Sequence, residues 1–409
     1  MNTKLFSPLT LPNGSVLPNR VAKAAMEENM AEDGQLPGTG LCELYRHWSA
    51  GGSGLLISGN VMVDHRALTG PGAVVLERDT PLAPFKRWAE AGKQNGARFW
   101  LQISHPGRQV FANMGGKVWA PSAVPLNMGK HSKLFGQPQE MTEEEIRETI
   151  RRFADTALRA EEAGFDGVEV HAAHGYLLAQ FLSPLANHRQ DAWGGTLENR
   201  ARFLLEVVRA IRAAVNPSFA LGVKINSADF QRGGFDAADA QQVARWLNEL
   251  HVDLLEVSGG TYESPAMQGQ TADHRTLARE AYFLDFARDI AGVAQMPVMT
   301  TGGIRRREVA ETVLVQGVAL AGIATALALV PDLPAQWRAG KSPATGQRTA
   351  NWRDKTLTAL ATMAQVRRQL QRMGRGQSPA LDESPLWALL CDRWRLTGLT
   401  KRYRRWLHA

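Results

Sequence analysis

Short, almost unbroken apolar runs alternate along this chain with longer stretches whose apolar residues recur every three or four positions. Eight runs read as strands: Arg20–Ala25, Gly54–Gly59, Arg98–Ser104, Gly167–His171, Leu221–Asn226, Leu254–Ser258, Pro297–Thr301 and Val318–Ile323. Their continuous apolar character is that of parallel strands buried on both faces. Helical periodicity fills the gaps at 41–50, 80–95, 142–163, 199–215, 237–250, 280–291 and 305–316. Thr142 and Glu145 have the spacing of a capping box, and Asn216-Pro217 is a stop signal. Eight such repeats predict a (β/α)8 TIM barrel over residues 1–344. A doubly wound sheet is the rival, but no GxGxxG follows the first strand. Leu9–Val16, around Pro-Asn-Gly, predicts an N-terminal hairpin that plugs the barrel floor. The long connection 105–141 is expected to be a lid.

Charge separates the tail from the body. Residues 345–409 carry 13 Lys/Arg and 4 Asp/Glu, a net of +9. The chain's total is +7, so the remainder is about −2. A basic face running along the whole chain would suggest nucleic acid; a basic helical C-terminal extension does not. That extension, with Trp352, Trp387, Trp394 and Trp406, reads as an arm packed on the barrel or on another subunit of a homo-oligomer. Its end, KRYRRWLHA, also suits a weak contact with an anionic membrane surface. Cys42 and Cys391 are isolated, which excludes a CxxC metal ribbon. No signal peptide and no apolar run of about 18 residues is seen, so a cytoplasmic protein is expected.

In a barrel of this kind, chemistry collects at the C-terminal strand ends. Strand seven ends in Gly302-Gly303 just before a helix, and strand eight in Ala324-Thr325. Glycine lets backbone N–H groups approach an anion, so a phosphate is expected there. A cofactor fixed at that point lies across the barrel mouth. Gln102 offers a donor and an acceptor to an amide-like edge, and Lys224 suits a ring nitrogen that gains charge on reduction. The implied cofactor is FMN, since no adenosine-binding fingerprint exists. His171, His174 and Tyr176 follow strand four. HxxH lacks the HExxH spacing and a third ligand, so no metal is expected. Two imidazole N–H donors can instead hold a carbonyl oxygen, while the phenol supplies a proton to carbon.

These residues sit in blocks that resemble the old yellow enzyme family of FMN-dependent NAD(P)H oxidoreductases, the ene-reductases. VEVHAAHGYLLAQFLSPLANHRQDAWGGTLENRARF (168–203) carries most of the resemblance. LPNGSVLPNRVAKAAM, GGSGLLIS, LQISHPGRQ, LGVKINSADFQRGGF and TTGGIR extend it over about residues 5–335. The resemblance implies that Gln102 and Lys224 contact the flavin, His171 and His174 the oxygen of an enone-like substrate, and Gly302 and Gly303 the phosphate. Tyr176 is implied as proton donor, and NADH or NADPH as reductant. Arg189, Asp191, Asn199 and Arg200 read as supports for the loop after strand four. Larger members add an iron–sulfur cluster, whose ligands two isolated cysteines cannot supply.

The chain departs from the family pattern at three places. Thr325 stands where an arginine usually clamps the phosphate, which weakens FMN unless Arg305 compensates. Strand one ends in Ala25-Met26-Glu27-Glu28, where Thr or Cys is common beside the flavin. Asn60 replaces a small residue in strand two and is placed to bond a flavin carbonyl. The expected function is reduction of the activated C=C of α,β-unsaturated carbonyl compounds. Alternatives are a flavin NADH oxidase or dehydrogenase passing electrons to oxygen or quinones, and a flavin-free binding scaffold.

Overall fold

The computed structural model describes residues 4–268, 280–348, 350 and 352–408. Eight parallel strands close into a barrel: β1 Val21–Lys23, β2 Leu55–Met62, β3 Arg98–Ser104, β4 Gly167–Ala172, β5 Ala220–Asn226, β6 Leu254–Ser258, β7 Val298–Thr300 and β8 Leu320–Ile323. Each pairs with its neighbour in sequence, and β8 pairs with β1. All eight expected strands are present, and nearly all their residues are buried. The (β/α)8 fold class is thus the observed one.

The outer layer is built by α1 Thr39–Ala50, α2 Ala83–Lys93, α3 Glu143–Glu162, α5 Leu197–Ala214, α6 Ala237–Asn248, α7 Leu284–Ala291 and α8 Arg307–Val315. The short α4 Leu177–Leu182, α9 Thr325–Leu329 and α10 Leu333–Arg338 are added, too brief for periodicity to reveal. Thr142 caps α3 with both halves of the box formed. The helix expected from 280 begins only at Leu284. Ala281 has a left-handed φ of 56°, which a right-handed helix cannot contain.

Leu9–Thr10 pairs antiparallel with Val16–Leu17. Leu9, Leu11 and Leu17 of this hairpin pack with Leu55, Ile57, Trp100 and Leu254 of the barrel interior. The barrel floor is therefore closed by an apolar plug, as the hairpin position suggested. Trp100 is its largest side chain and fully buried. Trp100→Ala should cost roughly 3–5 kcal/mol, read as a lower midpoint in denaturant unfolding.

The 105–141 connection is pinned rather than loose. Arg66 holds Asp64 through two nitrogens, at 2.9 and 2.8 Å, and its guanidinium lies 4.8 Å from the centre of the Trp119 ring. Arg189 donates to Pro121 O and Met141 O, so it fastens the lid's middle and end. Burial alone would raise the Asp64 carboxyl, but the Arg66 hydrogen bonds together with the His105 and Arg152 charges lower it to about 2. The folded value lies below the unfolded one, so this contribution is present above pH 4 and lost as pH falls towards 2. Asp64→Asn should therefore cost about 2 kcal/mol at pH 7 and converge with the parent in acid, measured by unfolding across pH.

Beyond the barrel, α11 Lys355–Met373 and α12 Pro385–Leu407 pack on each other and on the barrel mouth. Arg395 donates to Asn29 O at 2.6 Å, Arg402 to Ala31 O, and Tyr403 Oη to His65 O at 2.9 Å. The aromatic residues of KRYRRWLHA thus turn onto the barrel, with Tyr403 fully buried. Leu386, Trp387, Leu390 and Trp394 of α12 face outward instead. Among the described residues, no helix is long and apolar enough to cross a membrane.

Candidate active site

The strand ends bring most of the expected residues into two adjoining cavities. The first, about 400 Å³, is a trough lined by Ala25, Lys224, Ser258, Gly302, Gly303 and Thr325, among others. The second, about 480 Å³, is lined by Glu27, Thr69, Tyr176, Tyr262 and residues of α11 and α12. His174 and Met267 line both. Met26 lies beside neither; it lines a smaller groove against α11.

His171 ends β4, and its imidazole meets those of His174 and Tyr176 edge to face, at centroid distances of 5.0 and 4.8 Å. The Ala173 N–H donates to His171 Nδ1 at 3.2 Å, which leaves Nε2 to carry the proton. His174 has a left-handed φ of 60°. That conformation is held from both sides: its N–H donates to Asn226 Oδ1 at 3.0 Å, and its carbonyl accepts from Gln109 Nε2 at 2.8 Å. Its Nε2 is 2.7 Å from Ser258 Oγ, so one of the two expected donors already has a protein partner. Burial pushes both histidines well below their usual range, with the Lys224 charge adding to it, so both are neutral at pH 7. Burial likewise raises the Tyr176 hydroxyl, which lies 3.1 Å from Tyr262 Oη. Asn226→Ala should loosen His174 and raise the Kd for an oxyanion ligand about tenfold, checked by titration.

Glu27, Asn60 and Gln102 form a chain. Gln102 Nε2 donates to Asn60 Oδ1 at 2.7 Å, and Asn60 Nδ2 donates to Glu27 Oε2 at 2.7 Å. Thr69 Oγ1 donates to the same carboxyl oxygen at 3.1 Å. Burial lifts the Glu27 carboxyl to about 7. Glu28 points the other way, accepting from Tyr45 Oη and Gly59 N and pairing with Lys23 at 3.8 Å. Asn60 is therefore already engaged with protein groups at both ends. Gln102 Oε1 is left buried without a partner.

Lys224 Nζ lies 2.8 Å from Glu256 Oε1. Burial works to lower Lys224, but Glu256 and Glu169 outweigh it, so the lysine stays charged. Glu169 is raised by burial and by its carboxylate neighbour Glu256.

Gly302 and Gly303 have φ of 116° and 72°. A Cβ at Gly303 would stand 2.5 Å from the Tyr282 ring, so glycine is required there. Beyond them, the Arg305 and Arg306 N–H groups both donate to Glu280 Oε2, at 3.0 and 3.1 Å. A carboxylate of the chain itself thus takes the place of an anion at this loop. The unpartnered Gln102 amide oxygen, the buried Lys224 charge, the two left-handed glycines and this anion-accepting loop together fit FMN. Tyr262, Glu280 and Tyr282 carry no motif and were not singled out from the sequence; the tail was expected to be helical, but nothing in it marked which of its residues line the site. Ser258 was visible only as the end of an apolar run.

Residues 4–342 match the model of the NADH:flavin oxidoreductase / NADH oxidase family. A protein of Neonectria sp. (strain DH2) named NADH-dependent flavin oxidoreductase iliE is 41% identical over 354 residues, covering 80% of this chain and 46% of that protein. The chain thus spans about half of that relative. Its namesake from Hypocrea jecorina (strain QM6a) is 38% identical over 349 residues, covering 80% of this chain and 87% of that one. The solved old yellow enzyme homologue of Zymomonas mobilis superposes with a TM-score of 0.71 at 24% identity, over 82% of this chain and 93% of that one, a likeness of fold. The chain belongs to the NADH:flavin oxidoreductase / NADH oxidase family, whose barrel serves an NAD(P)H:flavin oxidoreductase working with FMN.

Proposed function

We propose that the chain reduces the activated C=C of α,β-unsaturated carbonyl compounds, drawing its electrons from NADH or NADPH. One observation carries this reading: His174 lines both cavities and Tyr176 the second, and the His171 ring stands directly behind them in contact with both, with both imidazoles neutral. FMN, when bound, supplies hydride transfer. Gln102 Oε1 and Lys224 would hold its polar edge, and Gly302, Gly303, Ala324 and Thr325 its phosphate end. His171 Nε2–H donates to the substrate oxygen, and His174 joins it by turning from Ser258. Those hydrogen bonds grow stronger as charge develops on that oxygen. Tyr176 Oη then gives its proton to carbon.

The visible spectrum of the flavin-loaded protein, titrated with a para-substituted phenol, tests this. A long-wavelength band places an oxyanion at the histidines. No band, with rapid oxygen consumption on NADH, favours the oxidase instead. A protein that takes up no FMN favours the scaffold.

Thr325 tests the phosphate end separately. Thr325→Arg would restore a charged clamp, and the Kd for FMN should fall about tenfold, measured by quenching of flavin fluorescence.

A further inference from the structure

The basic tail encloses the second cavity. Leu360, Met363 and Arg367 of α11 and Leu389 and Leu396 of α12 form its wall, across from Tyr176 and Tyr262. The lid adds Phe111, Met114 and Leu134 from the other side. Most of these groups are apolar. Two cations border it: Arg367 is matched, donating to both oxygens of Asp392 at 2.9 and 2.5 Å, and Arg393 is exposed to solvent. Around Met363, Leu389 and Leu396 that wall therefore presents hydrocarbon and a neutralised ion pair, with the Arg393 charge on its solvent side. The chamber holds about 480 Å³, within the range that takes ligands well beyond a single small ring.

We infer that the C-terminal helices are the specificity-determining wall of the substrate chamber, which selects an uncharged enone bearing an apolar body larger than one ring. This rests on the enone reading above. The body would extend from the carbonyl at His171 and His174 towards Met363, Leu389 and Leu396. A strongly basic tail thus acts through its apolar inner side; its excess charge, Arg404 and Arg405 among it, stays in solvent.

The test compares ligands differing only in that body, on the full-length flavin-loaded protein. Phenol and hexylphenol are titrated against flavin absorbance, and cyclohexenone and a hexyl-substituted cyclohexenone are compared in turnover. The parent should favour each hexyl compound tenfold or more. Leu389→Asp, which puts a carboxylate into the wall, should abolish that preference. The milder Met363→Ala should reduce it about threefold. Phenol, cyclohexenone and flavin content should change less than twofold in both. Equal binding of the two phenols by the parent overturns the inference. So does a parallel loss of both ligands in Met363→Ala when its circular dichroism is unchanged. If hexylphenol is favoured but no enone is reduced, the reaction assignment fails and the chamber stands.

Discussion

Tyr176→Phe should slow re-oxidation by enones roughly 10²–10⁴-fold, while reduction by NADH or NADPH keeps its rate. The phenol is buried and held in the protonated form, so it has a proton to give at neutral pH. Tyr262 Oη lies 3.1 Å away, the Asn60 side chain also reaches the phenol, and burial lifts the Tyr262 hydroxyl to about 12. Phenylalanine keeps the ring contact with His171 and removes the hydroxyl with its contacts to Tyr262 and Asn60. Stopped-flow measurement of the two half-reactions separates the outcomes. If both fall together, Tyr176 is shaping the site rather than donating.

The largest expected effect on binding comes from the histidine pair. His171→Ala with His174→Ala should remove the phenol band and raise the KM for enones beyond saturation, on the order of 10²–10³ in kcat/KM. Flavin content should stay near one per chain, since the trough's Gln102, Lys224 and glycine loop remain. Burial keeps both imidazoles neutral, so the parent's oxyanion binding should show no step near pH 6.5 from these groups. A variant that loses flavin as well would mean that the pair supports the cofactor.

Much of this was legible in one dimension. Strand positions follow from unbroken apolar runs, because a strand buried on both faces tolerates little else. HAAHGY at the end of β4 and Gly302-Gly303 at the end of β7 could be placed because barrel topology puts every strand's C-terminal end at one mouth. Helix limits were less exact where a single backbone angle decided them, as at Ala281.

Side-chain partners were not legible. Glu27 and Glu28 are adjacent in sequence, yet one lines the chamber with Tyr176 and the other pairs with Lys23 behind the barrel wall. Asn60 was expected to face the flavin, but it bridges Glu27 and Gln102. Its partners stand 33 and 42 residues away, and no local pattern records such a pairing. The tail shows the same division. Its charge and helicity are properties of composition and period, which a sequence states outright. That α11 and α12 roof the barrel's own mouth depends on contacts such as Tyr403 to His65, 338 residues apart. Local propensity and hydrophobic period determine elements and their order; only burial in three dimensions decides which groups meet and which keep their protons.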